Sequence, residues 1–69
     1  ASTWAMVAHE ALATVDPRLG FFSKENPYAS LGLGDRIALY SRAGLAMCRG
    51  GRKTPEETAE ALRKGKYES

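Results

Sequence analysis

The sequence predicts a small all-α domain, and three observations lead to this prediction. Apolar residues recur at helical spacing in three stretches, recognisable capping residues border those stretches, and no segment alternates regularly enough to predict a strand. We expect helices at about 3–15, 35–49 and 55–64, with an extended apolar loop between the first and second. The chain has 69 residues, which is room for one domain over 1–69.

The first helix is expected to run from about Thr3 to Val15, with Ser2 or Thr3 as its N-cap. Asp16 precedes a proline and avoids the α region, so it ends the helix. Ala5, Met6, His9 and Ala13 fall on the outer face. The expected core-facing residues follow the i, i+3, i+4, i+7 rule: Trp4, Val7, Ala8, Ala11, Leu12 and Val15.

The stretch 17–34 contains three glycines and two prolines, too many breaks for a long helix. A short helical turn around 27–31 and a small hairpin near Phe21 and Phe22 both remain open. Long loops without regular structure are uncommon in compact domains, and this one carries many large apolar residues. It must therefore pack against something, either the core of this chain or a partner.

The second helix is expected to begin with Asp35 as N-cap and to reach Arg49, before the stop at Gly50 and Gly51. Its polar line is narrow and consists of Arg42 and Arg49, after Arg36 at the start. One face is smooth (Ile37, Ser41, Gly44, Cys48), other apolar residues flank it (Ala38, Leu45, Tyr40, Met47), and Leu39 and Ala46 lie at the back. A helix that is apolar nearly all round is a buried helix. Two short helices and a loop supply little protein to surround it, so the pattern predicts a partner.

The third helix is indicated by Thr54 as N-cap, with Pro55 in the first turn and Glu57 placed to complete a capping box. Its apolar stripe is short, since only Ala59 and Leu62 follow Pro55, and we expect it to dock weakly. Residues 66–69 are expected to fray.

No motif in the chain predicts catalysis, a cofactor or a metal. His9-Glu10 resembles the start of a zinc-protease helix, but Ala13 stands where the second histidine is required, so His9 is expected to face solvent or act as a cap. His9 and Cys48 are the single histidine and the single cysteine, which is too few for a structural zinc site and excludes a disulfide within the chain. We expect Cys48 to be a packed, inert thiol. The Gly32–Asp35 turn lacks the glycine that a dinucleotide fingerprint needs at position 37.

A basic group near the end of the second helix provides the alternative function, a small nucleic-acid-binding regulator. Its residues would be Arg42, Arg49, Arg52 and Lys53. The helix-turn-helix pattern fits only in part, because Glu56 stands where a branched apolar residue is required. The net charge of +2 is also mild, so nucleic acid is the less favoured partner.

The favoured hypothesis is a non-catalytic accessory or assembly subunit that binds another protein, or a second copy of itself, through the second helix and the 17–34 loop. The predicted contact residues are Phe21, Phe22, Leu39, Tyr40, Met47, Arg42 and Arg49. Phe21 and Phe22 are either core residues or anchors in a partner's pocket. No apolar run is long enough to span a bilayer, and a single unpaired cysteine favours the cytoplasm.

Overall fold

The computed structural model describes residues 3–49 and 53–65. Within these ranges it contains three helices, α1 (Thr3–Val15), α2 (Leu33–Cys48) and α3 (Pro55–Arg63), together with a short 3-10 helix at Pro17–Leu19 and no strand. The predicted all-α class is confirmed. The glycine stop at 50–51 and the expected frayed tail at 66–69 lie outside the described residues.

The buried face of α1 is rotated from the one that the sequence predicts. Ala5, Ala8 and Leu12 are buried, whereas Trp4 is 38% exposed. The assignment of Ala5 to the outer face was therefore wrong. The reason is steric, because the small side chains at 5 and 8 let α1 approach α2 closely.

A backbone contact between α1 and α2 explains this choice of face. A Cβ atom built at Gly44 would overlap the carbonyl oxygen of Trp4 and would lie 2.8 Å from the carbonyl carbon. Only glycine, which has no Cβ, allows the two helices to come this close. The smooth face that the sequence indicates around Gly44 thus serves packing within the chain.

The N-cap of helix α2 lies three residues earlier than the sequence predicts. Gly32 is the N-cap, and its carbonyl accepts a hydrogen bond from the N–H of Arg36 at 3.0 Å. Asp35, predicted as the cap, lies instead in the first turn of the helix. There its negative charge interacts favourably with the positive end of the helix dipole. The Gly32 cap makes no side-chain hydrogen bond, so it carries no local sequence signal.

The chain itself covers much of α2. Leu39, Tyr40 and Ala46 are buried with Ala43 and Gly44. Leu39 and Ala46, at the back of the helix, are thus covered within this chain, and their burial does not require a partner. The physical reason lies in the loop, which contributes Leu19 and Phe21 to the same hydrophobic core.

The segment between α1 and α2 is a succession of tight turns and forms no hairpin. Backbone N–H groups donate to carbonyls three residues earlier at Gly20, Ser23, Asn26, Ala29 and Leu31. Turns of this kind satisfy backbone groups locally, so an irregular segment can be buried without a penalty. Leu19 is 2% exposed and Asn26 is 4% exposed.

A buried polar cluster attaches these turns to α2. The Asn26 side-chain amide donates to the carbonyls of Leu19 and Gly20 and to the hydroxyl of Tyr40, which itself donates to the Leu19 carbonyl. The Asn26 side-chain oxygen accepts from the N–H of Tyr28 at 2.8 Å. Burial raises the pKa of Tyr40 above its usual value, so the hydroxyl stays protonated and can donate.

Helix α3 has the capping box that the sequence predicts. The Thr54 hydroxyl accepts from the N–H of Glu57 at 3.0 Å, and the Glu57 carboxylate accepts from the N–H of Thr54 at 2.9 Å. Leu62 is 1% exposed and Ala59 is fully buried. The helix therefore docks through its short apolar stripe.

Asp16 ties the end of α1 to α3. Its carboxylate accepts from the backbone N–H of Arg18 and from the Arg18 guanidinium, and Arg63 of α3 donates to it at 3.2 Å. The side-chain hydrogen bond with Arg18 contributes most to lowering the pKa of Asp16 to about 2, followed by the backbone bond, while Arg63 adds a smaller effect.

Candidate protein-binding groove

An open apolar groove of about 250 Å³ lies between α1, α2 and the first turns of the loop. Its lining combines three residues of α1, two of the loop and two of α2: Ala5, Met6, His9, Phe21, Phe22, Leu33 and Ile37. His9 is the single lining side chain that carries polar atoms. The groove offers an apolar surface with one polar group and no charged side chain.

Three of these side chains are large, apolar and unusually exposed. Phe22 is 77% exposed, Leu33 is 58% exposed and Met6 is 51% exposed. Single exposed apolar residues are ordinary on protein surfaces, whereas several around one concavity form a contiguous patch. Such patches mark sites where a protein meets another apolar surface.

Phe22 is held at the rim by aromatic neighbours. Its ring meets Phe21 edge-on at 4.9 Å between centroids and His9 at 6.1 Å. Phe21 is fixed in turn, because it packs edge-on against Tyr40 at 5.3 Å and lies under the Arg36 guanidinium at 5.2 Å. Arg36 also donates to the Phe21 carbonyl at 3.2 Å. Phe22 is therefore the exposed member of an aromatic group whose other members, Phe21 and Tyr40, are buried.

His9 joins α1 to the loop at the same place. Its Nδ1 accepts a hydrogen bond from the N–H of Phe21 at 2.9 Å. A nitrogen that accepts carries no hydrogen, so the neutral ring has its hydrogen on Nε2. A side chain at Gly20 would crowd the ring, since a Cβ there would lie 3.3 Å from His9 Cε1. His9 thus caps a loop amide, one of the two roles that the sequence leaves open.

The structure separates the predicted contact residues into a buried group and an exposed group. Phe21, Leu39 and Tyr40 are buried in the core, and their assignment to an interface is therefore corrected. Of the three, Phe21 also lines the groove, where little of it is exposed. They are buried because the loop folds onto α2 and covers them. Met47 is half-buried against the core, and Phe22 is freely accessible.

Five of the seven groove residues were not among the predicted contact residues: Ala5, Met6, His9, Leu33 and Ile37. Leu33 and Ile37 have helical i, i+4 spacing, but placing the helix start at Asp35 left Leu33 in the loop. Met6 stands on the outer face of α1, as the sequence predicts, and it is 51% exposed. A helix begun at Leu33 would have shown two apolar residues on one exposed face.

Of the predicted basic residues, Arg42, Arg49 and Lys53 do not line this groove. Arg42 and Arg49 are exposed, Lys53 is half-buried, and Arg52 lies outside the described residues. Cys48 is exposed, so the expectation of a packed thiol was wrong. It occupies the last residue of α2, beyond the part of the helix that the core covers.

Two further kinds of site are absent from residues 3–49 and 53–65. No group of three or more His, Cys, Asp or Glu side chains there could hold a metal ion. No helix in that part of the chain has the length and apolar character needed to cross a membrane. Comparison of the chain with protein-family models, curated proteins and solved structures gives no match.

Proposed function

We propose that this chain is a non-catalytic accessory subunit and that its apolar groove binds another protein. One observation carries the proposal: Met6, Phe22 and Leu33 expose large apolar surfaces around a single concavity. Burying such side chains removes apolar area from water and stabilises a complex by about 25 cal/mol per Å² before the costs of association.

Several residues of this interface differ from those that the sequence predicts. The loop and α2 still contribute, through Phe22 on the loop and through Leu33 and Ile37 on α2. Met6 of α1 completes the surface. Arg42 and Arg49 are exposed and available as polar contacts, although they do not line the groove.

The exposed thiol of Cys48 supports a cytoplasmic location. An accessible unpaired thiol persists in a reducing compartment and tends to oxidise elsewhere. A nucleic-acid-binding role gains no comparable support, because Glu56 and Glu57 are exposed in the first turn of α3, where they oppose phosphate.

The test is affinity capture from an extract of the source cells, using the wild-type chain and a groove variant, Met6→Ser with Phe22→Ser and Leu33→Ser. The matched control is Ala38→Ser, an exposed apolar position on α2 outside the groove. We expect wild type and control to retain one partner in near-stoichiometric amount and the groove variant to lose it. Circular dichroism should show the same helicity for all three chains, because the substituted side chains are exposed.

A partner that binds wild type and groove variant equally would contradict the proposal. So would the loss of bound protein after nuclease treatment, which would favour the nucleic-acid alternative based on Arg42, Arg49, Arg52 and Lys53.

A further inference from the structure

We infer that the groove receives a single amphipathic α-helix of another protein, with apolar side chains on one face and a hydrogen-bond acceptor facing His9. This inference rests on the proposed function and specifies its partner. Three observations support it: the geometry of the walls, the size of the apolar surface, and the chemistry of the one polar group.

The walls of the groove are two helices. Met6 and His9 lie along one side of α1, and Leu33 and Ile37 lie four residues apart on α2. Side chains in this arrangement form ridges beside a furrow, which is the surface against which a further helix packs. A helix that binds in such a furrow contacts it with apolar residues at i, i+3, i+4 and i+7.

The exposed apolar side chains around the groove supply less apolar area than a stable contact between two folded copies commonly buries. Large side chains present about 150–250 Å² each, and Met6, Phe22 and Leu33 expose between half and three quarters of theirs. Together they offer about 300–400 Å². A stable association of two folded proteins buries about 800 Å² on each partner, of which roughly 450 Å² is apolar.

The volume agrees with this choice of occupant. The groove holds about 250 Å³, whereas a cavity of about 150 Å³ accommodates a benzene molecule. The groove therefore has room for more than one ring-sized group. Two neighbouring apolar side chains on a helix would supply groups of this size.

His9 adds a polar requirement. Its Nδ1 is engaged by the Phe21 N–H, so Nε2 carries a hydrogen, and the structure gives Nε2 no acceptor among the described residues. In the free protein water can satisfy this donor. Once a partner covers the groove, an unsatisfied N–H would weaken binding, so the partner helix must supply an oxygen acceptor.

The experiment selects ligands from a displayed library of helical peptides of about 16 residues, long enough to form a helix. The full chain is the bait. We expect enriched sequences with apolar residues at i, i+3 or i+4, and i+7, and with an oxygen-bearing side chain at a fixed offset from them. Amide chemical shifts should move at Met6, His9, Phe22 and Ile37 when the selected peptide is added.

Three variants measure the contacts. Phe22→Ala should weaken binding of the selected peptide about 30-fold, as expected for an interface anchor. His9→Asn keeps an acceptor for the Phe21 N–H but lacks the Nε2 donor, and it should weaken binding about 3–10-fold. Ala38→Ser should leave the affinity unchanged.

Other outcomes overturn the inference. Enriched peptides without helical periodicity would indicate an extended ligand. If His9→Asn binds the selected peptide as tightly as wild type, the partner does not need an acceptor for His9. A concentration-dependent dimer that occupies the groove would make a second copy the occupant. If phosphatidylcholine vesicles change the amide chemical shifts of the groove residues, the occupant of the groove is a lipid surface. If the groove variant loses its captured partner but that partner binds through an extended segment, the proposed function stands and this inference fails.

Discussion

Phe21 and Phe22 are neighbours of the same residue type that belong to two different regions of the molecule. Phe21 is 7% exposed and packs in the core, whereas Phe22 is 77% exposed at the groove. They are the two central residues of a turn that the Ser23 N–H closes on the Gly20 carbonyl, and their rings meet edge-on. One short segment therefore contributes to both the core and the binding surface. The geometry of the turn places Phe21 in the core and Phe22 at the surface.

Two glycines of α2 repeat this contrast between a packed region and an open one. Gly44 lies against the Trp4 backbone, and nothing lies within 4 Å of a Cβ built at Gly34, in the first turn beside Leu33. Residue type alone distinguishes neither pair. The members of each pair differ in their tertiary contacts. The same substitution made at both members of a pair measures the energetic effect of those contacts.

The largest difference is expected between Phe21→Ala and Phe22→Ala. Truncating a core phenylalanine commonly costs about 3–5 kcal/mol of unfolding free energy. A chain of this length has roughly 3.5–10 kcal/mol in total, so Phe21→Ala should remove much of the stability. Phe22→Ala should cost under about 0.5 kcal/mol, as surface substitutions do. Urea unfolding followed by circular dichroism gives both values, and equal losses would refute the division into core and groove residues.

The second difference is expected between Gly44→Ala and Gly34→Ala. The new Cβ at 44 overlaps backbone atoms of Trp4, which no change of side-chain rotamer can relieve, so we expect a loss of about 3 kcal/mol. At 34 the same change meets open space and improves helix propensity, so it should stabilise the chain by up to about 1 kcal/mol. Thermal melts of the two variants provide the measurement. Similar melting temperatures would show that α1 can move away from α2 at little cost.

These pairs also show how much of the molecule the sequence could predict. The capping box at Thr54 and the proline after Asp16 act within one turn, so the ends they define are close to those observed. The start of α2 was missed because Gly32 caps without a side chain. The face of α1 was missed because it depends on Gly44, far away in sequence, rather than on the periodicity of α1 itself.

The groove was predictable only in fragments. Phe22 was a candidate from its type, but its exposure follows from a turn that no periodicity reveals. The burial of the loop depends on Asn26 meeting Tyr40, which is 14 residues further along the chain. Such a hydrogen bond leaves no pattern in the sequence. For the same reason Tyr40 and Leu39 appeared to need a partner, when the loop of the same chain covers them.

The smallest predicted effect concerns acid and tests whether Asp16 supports the packed region. Its pKa is about 2 in the folded chain, against an ordinary value of 3.8. A carboxylate with a lowered pKa stabilises the folded state fully above its unfolded value and loses this contribution as pH falls towards the folded value. We therefore expect the urea midpoint of the wild type to fall between pH 3.8 and about 2.

Asp16→Asn is the control, because asparagine keeps an oxygen to cap the 3-10 helix but carries no charge for Arg18 or Arg63. Its urea midpoint should be lower than that of the wild type at pH 5 and should change less between pH 3.8 and 2, so that the two curves converge in acid. Parallel curves would show that other carboxylates cause the acid sensitivity. Convergence would assign the effect to the Asp16 contacts with Arg18 and Arg63. These contacts join α1 to α3 and include no groove residue, so a groove ligand should bind Asp16→Asn as tightly as wild type at pH 5.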